Sequence, residues 1–288
     1  GGGTVSVRSV AKKDFRGARR SRSLWAVATL LGLLTALIGY SYSAYQATPA
    51  ESFQRLFSQL VLLLMLLVPI VALVASYMSI AGERESGGVK FLLSVPNTRR
   101  DVFLGKYLSR LGIVWAGVVF MLLTAAAGGV ARNGVVPVGL VAGLLVMTLL
   151  YGSVFVSIAV AVSSAVGARS RAIAAAVGSY FVLVLLFVVP GLSVFMIAQW
   201  VHRTLLGFEA NLDLYNAVTY VSPLTAYRKG TNMFLPEEME QRVFQRAADA
   251  SGDLPVYLSE EVSLLVFAVW LVVPLVVGYL RFQGADLQ

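Results

Sequence analysis

The side chains able to do chemistry are few and scattered. Among 288 residues there is no cysteine and a single histidine, His202. That composition removes disulfides, thiolate metal sites and cysteine nucleophiles, and it argues against a histidine-built metal centre. His202 with Glu209 and Asp213 is a weak metal-ligand set. Glu237, Glu238 and Glu240 open the stretch Pro236–Ala250, in which Met239, Val243, Phe244 and Ala247 follow helical spacing. Carboxylates there suit the positive end of a helix dipole, and such groups are more often simply solvated than bound to a cation. The chain has no His-Glu-x-x-His, no Gly-x-Ser-x-Gly and no Gly-x-x-x-x-Gly-Lys-[Ser/Thr]. It shows no catalytic constellation and no ATP site, so any ATP must be bound by another subunit.

The most informative charged stretch is Glu83–Lys106. Gly82, Gly87 and Gly88 bracket Glu83-Arg84-Glu85, and Pro96 closes the run Val89–Val95. Glycine and proline bound helices, so Val89–Val95 reads as a short separate helix or a broken continuation of the apolar run before it. Its Val89, Phe91, Leu92, Leu93 and Val95 need a partner, either lipid or protein. Asn97-Thr98 offers a helix cap, with Arg99, Arg100 and Lys106 following. On residues alone, the cations serve equally as topology anchors or as part of a docking site.

The elements around this segment are membrane spans. With 58% hydrophobic and 13% charged residues and a mean hydropathy of +0.77, the chain is too apolar for a soluble domain of this length. Apolar runs of more than about 20 residues predict spans at about 24–45, 56–81, 107–130, 135–166, 172–200 and 262–280. The fold expectation is an all-α integral membrane protein, a single domain over 1–288 with six transmembrane helices. Pro69 interrupts the second span and Pro190-Gly191 the fifth. In the fourth, Gly139 and Gly143 form a small-xxx-small pair, continued by Gly152, Ser153, Ser157 and Ala161. That surface fits internal packing or a dimer seam. No charged residue falls near a span centre, which counts against proton-coupled carriers and voltage sensors.

Residues Val5–Arg22 predict an amphipathic interface helix. Val7, Val10, Ala11, Phe15 and Ala18 form its apolar stripe, bound for the acyl boundary, and Arg8, Lys12, Lys13 and Arg16 lie in its basic remainder. A disordered basic leader is the other reading. The net charge of +8 is spread beside apolar runs, where it serves topology and lipid headgroups rather than nucleic acid. Of the 23 Lys and Arg residues, sixteen fall on one side if the N-terminus, Glu83–Arg110, the Arg169/Arg171 loop and the tail share it. The positive-inside rule then places both termini and Glu83–Lys106 in the cytoplasm, and 202–261 outside as a loop between spans five and six.

The pattern Arg84-Glu85-x-Gly87-x-x-x-x-x-Leu92-Leu93-x-x-Pro96-x-x-Arg99, followed by Gly105-Lys106, resembles the cytoplasmic loop of ABC-2 type permeases. Those are the membrane subunits of a class of ATP-driven exporters. The basic N-terminal helix, the six-span layout, the long external loop and Ser222-Pro223-Leu224-Thr225-Ala226-Tyr227 are also similar to that family. Gly88 departs from it, standing where the pattern often has threonine.

The resemblance implies a coupling helix that docks on a separate ATPase. Glu83 and Glu85 would end the second span, Leu92 and Leu93 would fill the ATPase groove, and Arg99 would anchor the next helix. It further implies short re-entrant helices in the external loop, near Ala217–Tyr220 and Val221–Tyr227, with Ser222, Pro223 and Tyr227 among their residues. The chain itself would bind no cofactor, with ATP and Mg on the partner ATPase. A second permease subunit, identical or related, and the bilayer complete the partners, and the plasma membrane is the expected location. A membrane scaffold or assembly factor, and an ATP-independent carrier or channel, are the alternatives. Cargo within the family ranges over drugs, lipids, polysaccharides and copper- or sulfur-related groups, and nothing in the sequence selects among them.

Overall fold

The computed structural model describes residues 7–19, 22–41, 48–82, 98–134, 137–189, 193–237, 240, 242–245 and 254–284. All regular structure among them is helical. In chain order the helices are α1 (Val7–Arg19), α2 (Arg22–Ser41), α3 (Pro49–Ser76), α4 (Arg99–Asn133), α5 (Val138–Ala165) and α6 (Arg169–Val188). Then come α7 (Val194–Trp200), α8 (Leu212–Tyr220), α9 (Pro223–Thr231) and α10 (Val262–Gln283). Five helices are long and apolar enough to cross a membrane: α3 from Arg55, α4, α5, α6 and α10. Trp25–Ser41 is a shorter apolar helix.

Local chemistry sets the helix ends. Thr48 and Glu51 form a capping box at the start of α3, with Pro49 in its first turn. Thr98 and Asp101 repeat that device at α4. Each box satisfies two otherwise orphaned amide donors. Gly134 ends α4 with φ 75°, a left-handed conformation that glycine adopts at least cost.

The fifth predicted span, 172–200, is not one helix. α6 ends at Val188, and Val189 turns extended with ψ 119°. Val189 precedes Pro190, whose ring disfavours a helical residue before it. The helix α7 restarts from a Ser193 cap and continues through a π-helical turn, Val201–Leu205. The third predicted span, 107–130, is longer than expected: α4 has 35 residues, about 52 Å of helix against about 30 Å of hydrocarbon.

The core is built on α5. Every residue from Tyr151 to Val160 is buried, enclosed chiefly by α3, α4, α9 and α10. Small residues allow the tightest approaches. A Cβ at Gly278 would come within 2.6 Å of Ala161 Cα, and the Ser164 hydroxyl donates to Gly278 O at 2.8 Å. Gly143 is filled by the Phe234 ring, and Gly152 lies against Val114 and Val68. Those two small positions therefore serve internal packing, while Gly139 faces open space within the chain.

On the outside of α4 lies α2. Gly39 and Gly128 bring the two backbones together: a Cβ on Gly39 would overlap Ala125 O, and one on Gly128 would overlap Ala36 O. Thr35 and Thr124 hydroxyls meet between them at 2.8 Å. This is the close, small-residue packing that holds membrane helices together without a hydrophobic driving force. Broad aliphatic faces remain exposed on α6 (Val177, Phe181, Val182) and α10 (Leu265, Val269, Val272, Val276), surfaces for lipid or for another membrane helix.

Candidate functional site

Two polar clusters mark opposite regions of the bundle. The first gathers α1, the end of α3, the start of α4 and the end of α10. Glu83, Arg84, Glu85, Gly87, Leu92, Leu93 and Pro96 lie outside the described residues, so the cluster is seen through its flanks. On the α3 side, the Ser163 hydroxyl of α5 accepts from Ile80 N and Ala81 N, both at 3.0 Å. On the α4 side, Arg99 reaches the last turn of α10: its Nη1 donates to Phe282 O at 3.1 Å and to Gln283 O. A guanidinium suits helix-terminal carbonyls by both hydrogen bonding and charge. Arg99 thus ties α4 to α10, a long-range partner that its position in the sequence did not indicate.

Asp14 is the residue that sequence reasoning missed. It is the only carboxylate of α1, and it points at α4. Lys106 Nζ lies 3.3 Å from its Oδ1 and Arg110 Nη2 lies 3.1 Å from its Oδ2. Arg110 Nη1 also donates to Ala75 O at 3.1 Å, in the last turn of α3. Arg110 therefore joins α1, α4 and α3. Lys106, read as a topology anchor, is 3% exposed. The detectable signal was Asp14's place on the apolar stripe, three and four residues after Ala11 and Val10.

Part of that stripe packs on α4. Val10 is buried, and a Cβ on Gly105 would come within 2.7 Å of it. Phe15 reaches the Gly112 position and stays 39% exposed. Arg8, Lys12, Lys13 and Arg16 are exposed on the other side of the helix.

The second cluster holds Ser222, Pro223 and Tyr227, all buried. Ser222 caps α9 by accepting from Leu224 N at 3.2 Å and donates to Leu183 O at 3.2 Å. Pro223 fills the first turn. The Tyr227 ring stacks on Tyr151 at 4.5 Å, and its hydroxyl meets Thr148 at 3.0 Å. α8 and α9 are longer than the two short pieces expected there.

The stretch Pro236–Ala250 departs from its helical pattern: Glu240 and residues 242–245 are not helical. Tertiary contacts account for this. Asn216 holds Gln245 by two hydrogen bonds, Nδ2 to O at 2.7 Å and Oδ1 from N at 3.1 Å. Phe244 packs edge-on against Tyr220, with Lys229 Nζ 5.8 Å from its centroid. Lys229 pairs with Glu260, and the Tyr220 hydroxyl donates to Ser259 O at 2.6 Å. Burial pushes the Tyr220 phenol pKa up, and nearby Glu260 adds to the shift. These contacts hold residues 244–245 and 259–260 against α8 and α9. His202 belongs to neither cluster: its Nδ1 meets Tyr215 hydroxyl at 2.9 Å and its ring stacks on Phe208.

Comparison with known proteins agrees with this architecture. Residues 8–287 match the family described as "ABC-2 family transporter protein". The chain is 30% identical over 203 residues to a probable ABC transporter permease protein NosY of Pseudomonas aeruginosa, covering 67% of this chain and 72% of that one. It is 26% identical to a protein of the same printed name from Stutzerimonas stutzeri, covering 96% of this chain and 98% of that one. With its several apolar helices, the chain is a multi-pass membrane protein and belongs to the ABC-2 family of transporters.

Proposed function

We propose that this chain is the permease subunit of an ATP-binding-cassette exporter. It crosses the plasma membrane six times, with α2 as the first crossing and both termini in the cytoplasm. A separate ATPase carries ATP and Mg and docks on Glu83–Lys106. Two permease subunits enclose the pathway, and ATPase closure pushes Val89–Val95, tilting α3 and α4. The observation that carries the reading is the family match over residues 8–287. The geometry fits it, because the residues that flank 83–97 are fastened to the bundle, Ile80 and Ala81 through Ser163 and Arg99 through the end of α10. A push on that segment would reach α3, α4, α5 and α10 together.

The test is co-purification of the ATPase with the permease. Leu92→Asp or Leu93→Asp is expected to abolish it while the permease keeps its wild-type elution profile and melting temperature. Unchanged co-purification counts against the docking role. A permease that assembles with partners but never with an ATPase points to the scaffold, and cargo flux without ATP points to the carrier or channel.

A further inference from the structure

Part of the apolar stripe of α1 is covered by α4, which leaves less of it for burial in lipid. Val10 is 6% exposed against Gly105, Val7 and Ala11 are half-buried, and Phe15 stays exposed at the edge. What α1 offers outward is charge. Arg8, Lys12 and Arg16 lie on the arc opposite Val10 with Lys13 on its flank, all exposed, and among the described residues no carboxylate pairs with them. The acid of α1, Asp14, is turned inward onto Lys106 and Arg110 and neutralises none of the arc.

The level of that arc follows from α4. Its 35 residues exceed one crossing, and the uncharged stretch lies between Arg110 and Arg132. The 20 or so residues between those arginines fill the hydrocarbon. Gly105, under Val10, then lies in the headgroup zone, and Gly112, under Phe15, lies just inside the acyl boundary. The basic arc therefore starts in the headgroup zone at Arg8, Lys12 and Lys13 and ends at the acyl boundary with Arg16, whose long side chain reaches back to the phosphates. Resting on the proposed placement of this end in the cytoplasm, we propose that α1 is a docking surface for anionic lipid, with Arg8, Lys12, Lys13 and Arg16 taking headgroup phosphates and Asp14 fastening that surface to the start of α4. Through Arg110 the same surface touches the last turn of α3 at Ala75 O. Both helices that lead into 83–97 thus bear on the lipid-bound element.

The experiment uses the full chain in nanodiscs of phosphatidylcholine containing phosphatidylglycerol, with retained lipids counted by native mass spectrometry. The wild type is expected to retain phosphatidylglycerol preferentially, and added salt should weaken that preference. Combining Arg8→Gln, Lys12→Gln, Lys13→Gln and Arg16→Gln should lower it by about fivefold per charge removed. The charge-keeping variant Lys12→Arg with Lys13→Arg should keep the wild-type preference, which separates charge from a change of side chain. Arg169→Gln with Arg171→Gln should leave it unchanged. An equal loss in that pair, or no loss in the quadruple variant, would each overturn the assignment. No ATPase takes part, so the transporter reading and the lipid surface stand or fall separately.

Discussion

A tyrosine hydroxyl and an aspartate each hold together parts of the chain that lie far apart in sequence. Tyr220 is 3% exposed and donates to Ser259 O, which holds residues 259–260 against α8. Tyr220→Phe leaves the ring against Phe244 but removes the bond, which costs about 1 kcal/mol. Limited proteolysis between 244 and 260 should become faster, with the melting temperature of the bundle little changed. Asp14→Asn removes the counter-charge of a buried lysine and a half-buried arginine, a loss of about 2 kcal/mol. A lower melting temperature in detergent and faster proteolysis of residues 7–19 are the expected readouts; Asp14→Glu should recover most of the loss.

At the scale of elements, the α2–α4 seam is the most exacting contact. Gly128→Leu places a side chain where Ala36 O and Tyr40 N already lie, and the helix backbones cannot yield as a flexible side chain would. Loss of α2 from the bundle is expected, measured with Thr35→Cys and Thr124→Cys in this cysteine-free chain. The paired cysteines should cross-link under oxidation in the wild-type background, because the native hydroxyls are 2.8 Å apart, and should fail to do so with Gly128→Leu. Gly105→Leu makes the matching test at α1. The added branch meets Val10 and Val7 O, so α1 should become protease-sensitive while α3, α5 and α10 keep their packing.

At the scale of the whole molecule, what was legible follows from the range of the forces. Spans announce themselves by apolar length, which is why five of the expected segments appear as long apolar helices, although the third runs longer than expected and the fifth stops at Val188. The break before Pro190 was marked by a local backbone clash, although the two halves it creates were not. Pairing across the fold was not legible. An apolar stripe on α1 looks the same whether lipid or α4 covers it, and Arg99 carries no sign of its bond to Phe282 O. Pro236–Ala250 has helical periodicity, but Phe244 and Gln245 are held by α8 and α9, and those contacts outweigh local preference.

The seam between α2 and α4 also has a consequence in time. Roughly sixty residues separate the two helices, so at 5–20 residues per second α2 leaves the ribosome about 3–12 s before its partner. Through that interval Gly32, Thr35 and Gly39, all buried in the finished protein, face whatever the insertion machinery or the bilayer provides. α2 therefore has to wait for its own chain to supply a partner, and biogenesis should stall there when α4 is delayed or altered.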